Sequence, residues 1–218
     1  MRVVIAGGHG KIALRLERLL AGRGDEPVGL IRNPGHEADL EAAGARPVLC
    51  DLEGAGVEEV ASHLRGAGAV VFAAGAGPGS GAARKDTVDR AASVLLADAA
   101  ERAGVPRFVQ ISAIGADASP REGSDEVWAA YIRAKGDAED DLRARDLDWT
   151  ILRPGGLTDA PGVGAVRLDE RVPRGTVTRD DVAAVIVALL DTPGTAGRTL
   201  ELVQGDVPVE EAVARYAR

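Results

Sequence analysis

The sequence predicts a three-layer α/β/α fold built on a doubly wound parallel sheet with a small C-terminal appendage, and three observations carry that prediction. Short β-branched apolar runs alternate with longer amphipathic stretches, the pattern of parallel strands joined by crossover helices. A glycine-rich turn, Gly7-Gly8-His9-Gly10, falls directly between the first apolar run and the first amphipathic one. Apolar residues make up 45% of the 218 residues, enough for one substantial core, and the chain has no internal repeat and no long linker. One domain over 1–218 is the economical organisation.

The strands are expected at 3–6, 27–31, 46–50, 69–73, 107–111 and 149–152, where β-branched and apolar residues cluster. Helical patterns lie between them at 11–21, 57–65, 87–103 and 126–145, with a turn or two around 37–43. Six strands so separated place ligands at the carboxyl ends of the sheet. Beyond Pro154 the rhythm changes. Gly and Pro crowd 154–164, which reads as an irregular loop, followed by a possible strand at 171–177, a helix at 180–190 and a last strand at 199–203. Thr178 can cap that helix, with Asp180 and Asp181 favoured in its first turn. Residues 154–218 thus form the small substrate-side region.

Composition narrows the partners. The longest apolar stretch, 182–190, has nine residues where a membrane span needs about twenty, so no membrane is expected. Arg2-Val3-Val4-Ile5 already reads as a strand, leaving no targeting segment before it, and a cytoplasmic protein is expected. The net charge is −8 with no basic block, so nucleic acid is not an expected partner. Cys50, the single cysteine, excludes an intrachain disulfide and reads as a small buried hydrophobe. His9, His36 and His63 lack metal-ligand spacing, and no metal site is expected. The partner is a small-molecule substrate; monomer and homodimer both stay open.

The glycine-rich turn points to a dinucleotide. A tight turn and close approach of a pyrophosphate both exclude a Cβ, and the helix N-terminus offers free N–H groups to phosphate. Gly7, Gly8, His9, Gly10, Lys11 and Ile12 are therefore candidate cofactor residues, with Ala13 letting the helix pack on the strand. Arg32, followed by Asn33, ends the second strand where an NAD-preferring site usually carries an acid, so NADP(H) is favoured over NAD(H). Asp51 and Leu52 follow the third strand toward the adenine edge. Ala73, Ala74 and Gly75 follow the fourth, small enough for a ribose to lie against the backbone.

These residues, with Phe108–Gly115, Tyr131-Ile132-Arg133-Ala134-Lys135 and Trp149–Leu157, resemble the short-chain dehydrogenase/reductase superfamily. The nearest likeness is to its atypical branch of Rossmann proteins, which includes flavin/biliverdin reductase-like and NmrA-like members and epimerase/dehydratase relatives. The resemblance implies that Tyr131 is the acid/base, that Lys135 holds the ribose and lowers the tyrosine pKa, and that Ser112 orients the substrate oxygen. It also brings Pro154, Gly155, Gly156 and Leu157 to the cofactor. Tyr131 and Lys135 sit four apart on an expected helix, so they share a face. With two tyrosines and three lysines in the chain, chance gives that spacing with a probability of about 3%.

Ser112 is followed by Ala113 where many relatives carry a second hydroxyl. Pocket walls are expected from 155–166, 77–85 and 116–125, and Trp128 is read as a packing residue. The function expected is NADP(H)-dependent hydride transfer to a small carbonyl, quinone or flavin. The alternatives are a non-catalytic redox sensor and an epimerase or dehydratase that uses the cofactor transiently.

Overall fold

The computed structural model describes residues 1–77, 81, 84–118 and 125–217. Its main sheet has nine strands: β1 (Arg2–Ala6), β2 (Glu26–Ile31), β3 (Arg46–Leu49), β4 (Ala69–Phe72), β5 (Arg107–Ile111), β6 (Asp148–Pro154), β8 (Ala165–Asp169), β10 (Arg198–Gln204) and β11 (Val207–Pro208). The order across it is β11-β8-β10-β6-β5-β4-β1-β2-β3. Strands β3 to β10 run parallel, and β8 and β11 add an antiparallel edge. The chain starts at β1, moves outward to β3, then returns to β4 on the other side. That reversal opens a crevice above the carboxyl ends of β1 and β4, as in other doubly wound Rossmann-like sheets.

Strand β1 shows why the layers form. Its side chains alternate, Val3 and Ile5 entering the core on one face, Val4 and Ala6 the core on the other. Helix α1 (Lys11–Gly22) lays a stripe of Ala13, Leu16, Glu17 and Leu20 against the first face, at the three- and four-residue spacing of one helix side. It packs there beside α6 (Arg179–Leu190). The opposite face carries α3 (Val57–Leu64), α4 and α5 (Glu126–Arg143). Helix α4 begins as a π-helical segment, Lys85–Ala91, and continues as regular α-helix over Ala92–Ala103.

The expected elements up to β6 are present, with α2 at Glu37–Ala42, and the Thr178 cap is as anticipated, its hydroxyl accepting from the Asp181 amide at 3.0 Å. The C-terminal region differs from its reading. Within 154–164 there is a strand, β7 (Gly156–Thr158), which pairs in parallel with β9 (Thr176–Thr178) as a separate two-stranded sheet. The strand expected at 171–177 lies instead at Ala165–Asp169, one residue chain on from the glycines, with only Thr176 onward extended. A short final helix, α7 (Val209–Ala214), buries Val209, Ala212 and Val213 and was not read from the sequence. Among the described residues no helix is long and apolar enough to cross a membrane.

Candidate active site

Two pockets share the wall formed by Gly10, Ala73, Ala74 and Gly75 and divide the crevice between them. The first, about 290 Å³, lies over β1, β2 and β3. The second, about 710 Å³, lies over β4 and β5 and is bounded by α4 and α5.

Glycines set the geometry of the shared wall. Gly7 adopts φ +78°, and a Cβ there would stand 2.6 Å from the Ala74 Cα, so the turn can touch the strand β4 exit only without a side chain. Gly8 plays a different part from the one expected. Its Cβ would meet the Gly29 Cα of β2 at 2.7 Å, so it serves packing rather than a ligand. Gly10 faces both pockets, and a Cβ there would meet nothing closer than the Gly7 carbonyl at 3.1 Å. That contact is tighter than an ordinary one, so the turn stays this close only because Gly10 lacks a side chain, next to the start of α1, which no side chain caps. This is the cradle a pyrophosphate requires. The fit to a dinucleotide is good.

The first pocket collects His9, Arg32, Asp51 and Leu52, all expected there, and three groups that sequence reading missed: His36, Glu53 and Arg84. Arg32 donates to Glu53 at 3.1 Å, Arg84 at 2.6 Å, and the Thr87 hydroxyl at 2.8 Å. The Arg84 and Thr87 hydrogen bonds hold the Glu53 carboxyl below its usual range. His9 stacks on His36 with centroids 3.5 Å apart, and its Nε2 lies 2.8 Å from Asp39. Asn33 turns inward to its own chain, accepting from the Gly35 amide at 3.0 Å. Cys50 is buried as expected, and burial pushes its thiol up to about 11.

The second pocket brings together Tyr131, Lys135 and Ser112, with Lys11, Ile12 and Leu157 at its margins. Residues expected to reach the cofactor at 154–156 do not line either pocket. Gly155 is pressed on the chain before β9, where a Cβ would stand 2.4 Å from the Gly175 carbonyl, Pro154 closes β6, and Gly156 opens β7. Trp128 is not the packing residue expected. It is 53% exposed at the pocket mouth, its ring 5.5 Å from that of Tyr131. The loop segments 78–80, 82–83 and 119–124, parts of the walls expected from sequence, lie outside the described residues.

Lys135 is buried, donates to the Ile111 carbonyl at 3.1 Å and pairs with Asp89 at 3.3 Å. Asp89 is itself buried and also accepts from the Ala76 amide at 3.2 Å. Both Lys85 and Asp89 come from the π-helical turn, where a period above four residues puts positions i and i+4 on one side. Sequence reading found neither, because a π segment has no apolar periodicity of its own. The surroundings of Tyr131 reverse an expectation. Burial, followed by the Asp89 charge, pushes the phenol up to about 12 rather than down. Lys135, the ammonium expected to lower it, already has Asp89 as a counter-ion.

Ser112 is committed as well. Its hydroxyl donates to Glu139 at 2.5 Å, inside a network where Arg153 grips the same carboxylate. It can present lone pairs to a ligand, not its proton.

Comparison with known proteins agrees with this architecture. The profile of a family described as NAD(P)H-binding matches residues 7–193. A Bacillus subtilis protein named as an uncharacterized sugar epimerase, YhfK, is 38% identical, the match covering 99% of this chain and all of that one. The structure of a Bacillus halodurans protein described as an NAD-dependent epimerase/dehydratase superposes with a TM-score of 0.91 at 33% identity, over 99% of both chains. That of ChuY, an anaerobilin reductase from Escherichia coli O157:H7, gives 0.80 at 26% identity, over 95% of this chain and 98% of the other.

Proposed function

The chain belongs to the NAD(P)H-binding family, and from that premise we propose that it is an NADP(H)-preferring reductase acting on a small carbonyl, quinone or flavin acceptor. The observation that carries the reading is the single wall, Gly10 with Ala73–Gly75, that joins the glycine-rich turn and the pocket over β1–β3 to a pocket holding Tyr131 and Lys135. When bound, the nicotinamide supplies the hydride.

The chain's own residues supply the rest. Tyr131, with its pKa raised to about 12, stands protonated at neutral pH and gives its proton to the substrate oxygen. Lys135 is fixed by Asp89 and the Ile111 carbonyl, and its remaining N–H holds a ribose hydroxyl. Ser112 donates its hydroxyl proton to Glu139, which keeps the back of the pocket in register and leaves only its oxygen lone pairs facing a ligand. Arg32 and Arg84 favour the extra phosphate of NADP(H), which can share or displace their contact with Glu53.

An epimerase or dehydratase using the cofactor transiently fits the same fold and relatives, and would ask Tyr131 to begin as a base. The deciding experiment offers NADPH with a panel of carbonyls, quinones and flavins and follows its consumption, beside a binding titration. Reduction of at least one class is expected. Tight NADPH binding with no acceptor reduced would replace the reductase by a redox sensor.

A further inference from the structure

The cations lining the larger pocket are not equivalent. Lys135 has Asp89 at 3.3 Å. Lys11 and Arg179 both pair with Asp159, at 2.7 and 2.9 Å. Lys85 has no carboxylate within 4.0 Å among the described residues, although only 8% of it is exposed. Its ammonium donates one hydrogen bond, to the Gly77 carbonyl at 3.0 Å, and sits 5.1 Å from the Tyr131 ring centroid. Among the described residues, two of its N–H donors have no partner, and they stand beside the proposed proton donor.

A buried ammonium without a counter-ion is costly, and a protein keeps one where an anion arrives to complete it. Beyond Ser112 and Tyr131, the larger side chains of the wall are apolar: Ile12, Ile111, Val127, Trp128 and Leu157. Asp125, the other acid on the lining besides Asp89, is occupied in capping α5 through the Trp128 amide.

We propose that the substrate is an apolar, largely flat molecule bearing a carboxylate, and that Lys85 binds that carboxylate next to Tyr131. The proposal rests on the reading of this pocket as the substrate site. The carboxylate completes the ion pair that the described residues leave open, while Trp128 and Leu157 cover the apolar body. Lys85 therefore selects among acceptors rather than taking part in proton transfer.

The test separates binding from turnover. Calorimetric titration of the NADPH-saturated chain compares 2-naphthoate with the isosteric, neutral 2-naphthamide. Naphthoate is expected to bind roughly 10- to 100-fold more tightly, the range for a charge-assisted contact in a desolvated site. Lys85→Met should abolish the preference, Lys85→Arg should keep most of it, and NADPH affinity should change less than about twofold in both. If Lys85→Met does not fold, Lys85→Gln, which keeps a donor for Gly77 and loses the charge, takes its place.

Equal or unmeasurable binding of the two probes by the unaltered chain would overturn the proposal, as would a preference that survives loss of the Lys85 charge. A tenfold loss of NADPH affinity in Lys85→Met would overturn it too, by giving Lys85 to the cofactor phosphates. Parallel assays with 4-carboxybenzaldehyde and its methyl ester should show the same preference in KM. Absence of turnover on both would count against the reductase reading alone, since the calorimetric result stands without it.

Discussion

Over β1–β3 the crevice keeps its charges near solvent, with Arg32 and Arg84 meeting on Glu53 at a half-exposed rim. Over β4 and β5 the charges are sealed, Lys135 and Asp89 pairing at 3.3 Å with side chains about 5% and 1% exposed. Each half also contains a buried acid, and the two acids are stabilised differently. Glu17, under the glycine-rich turn, is fully buried and has no hydrogen-bond partner for either carboxylate oxygen among the described residues; burial raises its pKa to about 8. Asp89 keeps its charge company with a lysine and a backbone amide. An acid that holds a proton forms a quiet floor for an anionic ligand, whereas an acid paired with a cation fixes that cation in place. The first arrangement suits binding and the second suits chemistry.

The largest effect expected lies in the sealed half. Tyr131→Phe removes one hydroxyl and little packing, so turnover with an active acceptor should fall about 10²- to 10⁴-fold. NADPH affinity, measured by titration, should barely move. A variant that turns over at the unaltered rate would remove Tyr131 from the chemistry and erase the functional contrast between the halves.

Neutralising the two buried acids should then give opposite signs. Asp89→Asn strands the Lys135 ammonium in a dry site and should destabilise the fold by about 3–5 kcal/mol in urea denaturation. It should also lower the pH at which Tyr131 titrates, because the like charge that helps raise it is gone.

Glu17→Gln should stabilise, and only at higher pH. The folded-state pKa of Glu17 lies above its ordinary 4.5, so folding takes up a proton between about 4.5 and 8. The stability that Glu17 contributes is complete below 4.5 and is lost as pH rises through 8. At about 1.4 kcal/mol per unit, the advantage of Glu17→Gln should grow by a few kcal/mol across that window and then level off. An advantage independent of pH would mean Glu17 is ionised in the fold.

The smallest effect belongs to the exposed rim. Arg32→Ala should reduce the preference for NADPH over NADH by about tenfold, a charge-assisted contact near solvent. Arg84 stands on the same carboxylate and should retain part of the preference, so Arg32→Ala with Arg84→Ala should remove more than either alone. Equal affinity of the unaltered chain for the two nucleotides would end the NADP(H) assignment.

The exposed half was also the more legible. Gly7, Gly10, Arg32 and Asp51 lie at strand ends that periodicity locates, and each is within a few residues of the strand that positions it. Glu53, Arg84 and His36 escaped notice because their meeting depends on loops 31 and 48 residues apart folding over one strand edge. In the sealed half, Tyr131 and Lys135 were visible as a spaced pair on one helix. The partners that set their behaviour were not. Asp89 approaches from another helix, 46 positions earlier in the chain, on a π-helical turn that no hydrophobic pattern announces.

The sequence by itself determined the strand–helix alternation up to β6, the glycine turn and the placing of Tyr131 and Lys135 on a common face. Those features arise from local periodicity and from backbone sterics at glycine, which act between residues close in the chain. Only the tertiary structure decided that Gly8 packs on Gly29, that Ser112 spends its proton on Glu139, and that β8 edges the sheet beyond β10. It also decided the upward direction of the Tyr131 shift. Desolvation and the nearness of a charge are properties of the space around a group, and that space is enclosed by segments the chain order keeps far apart.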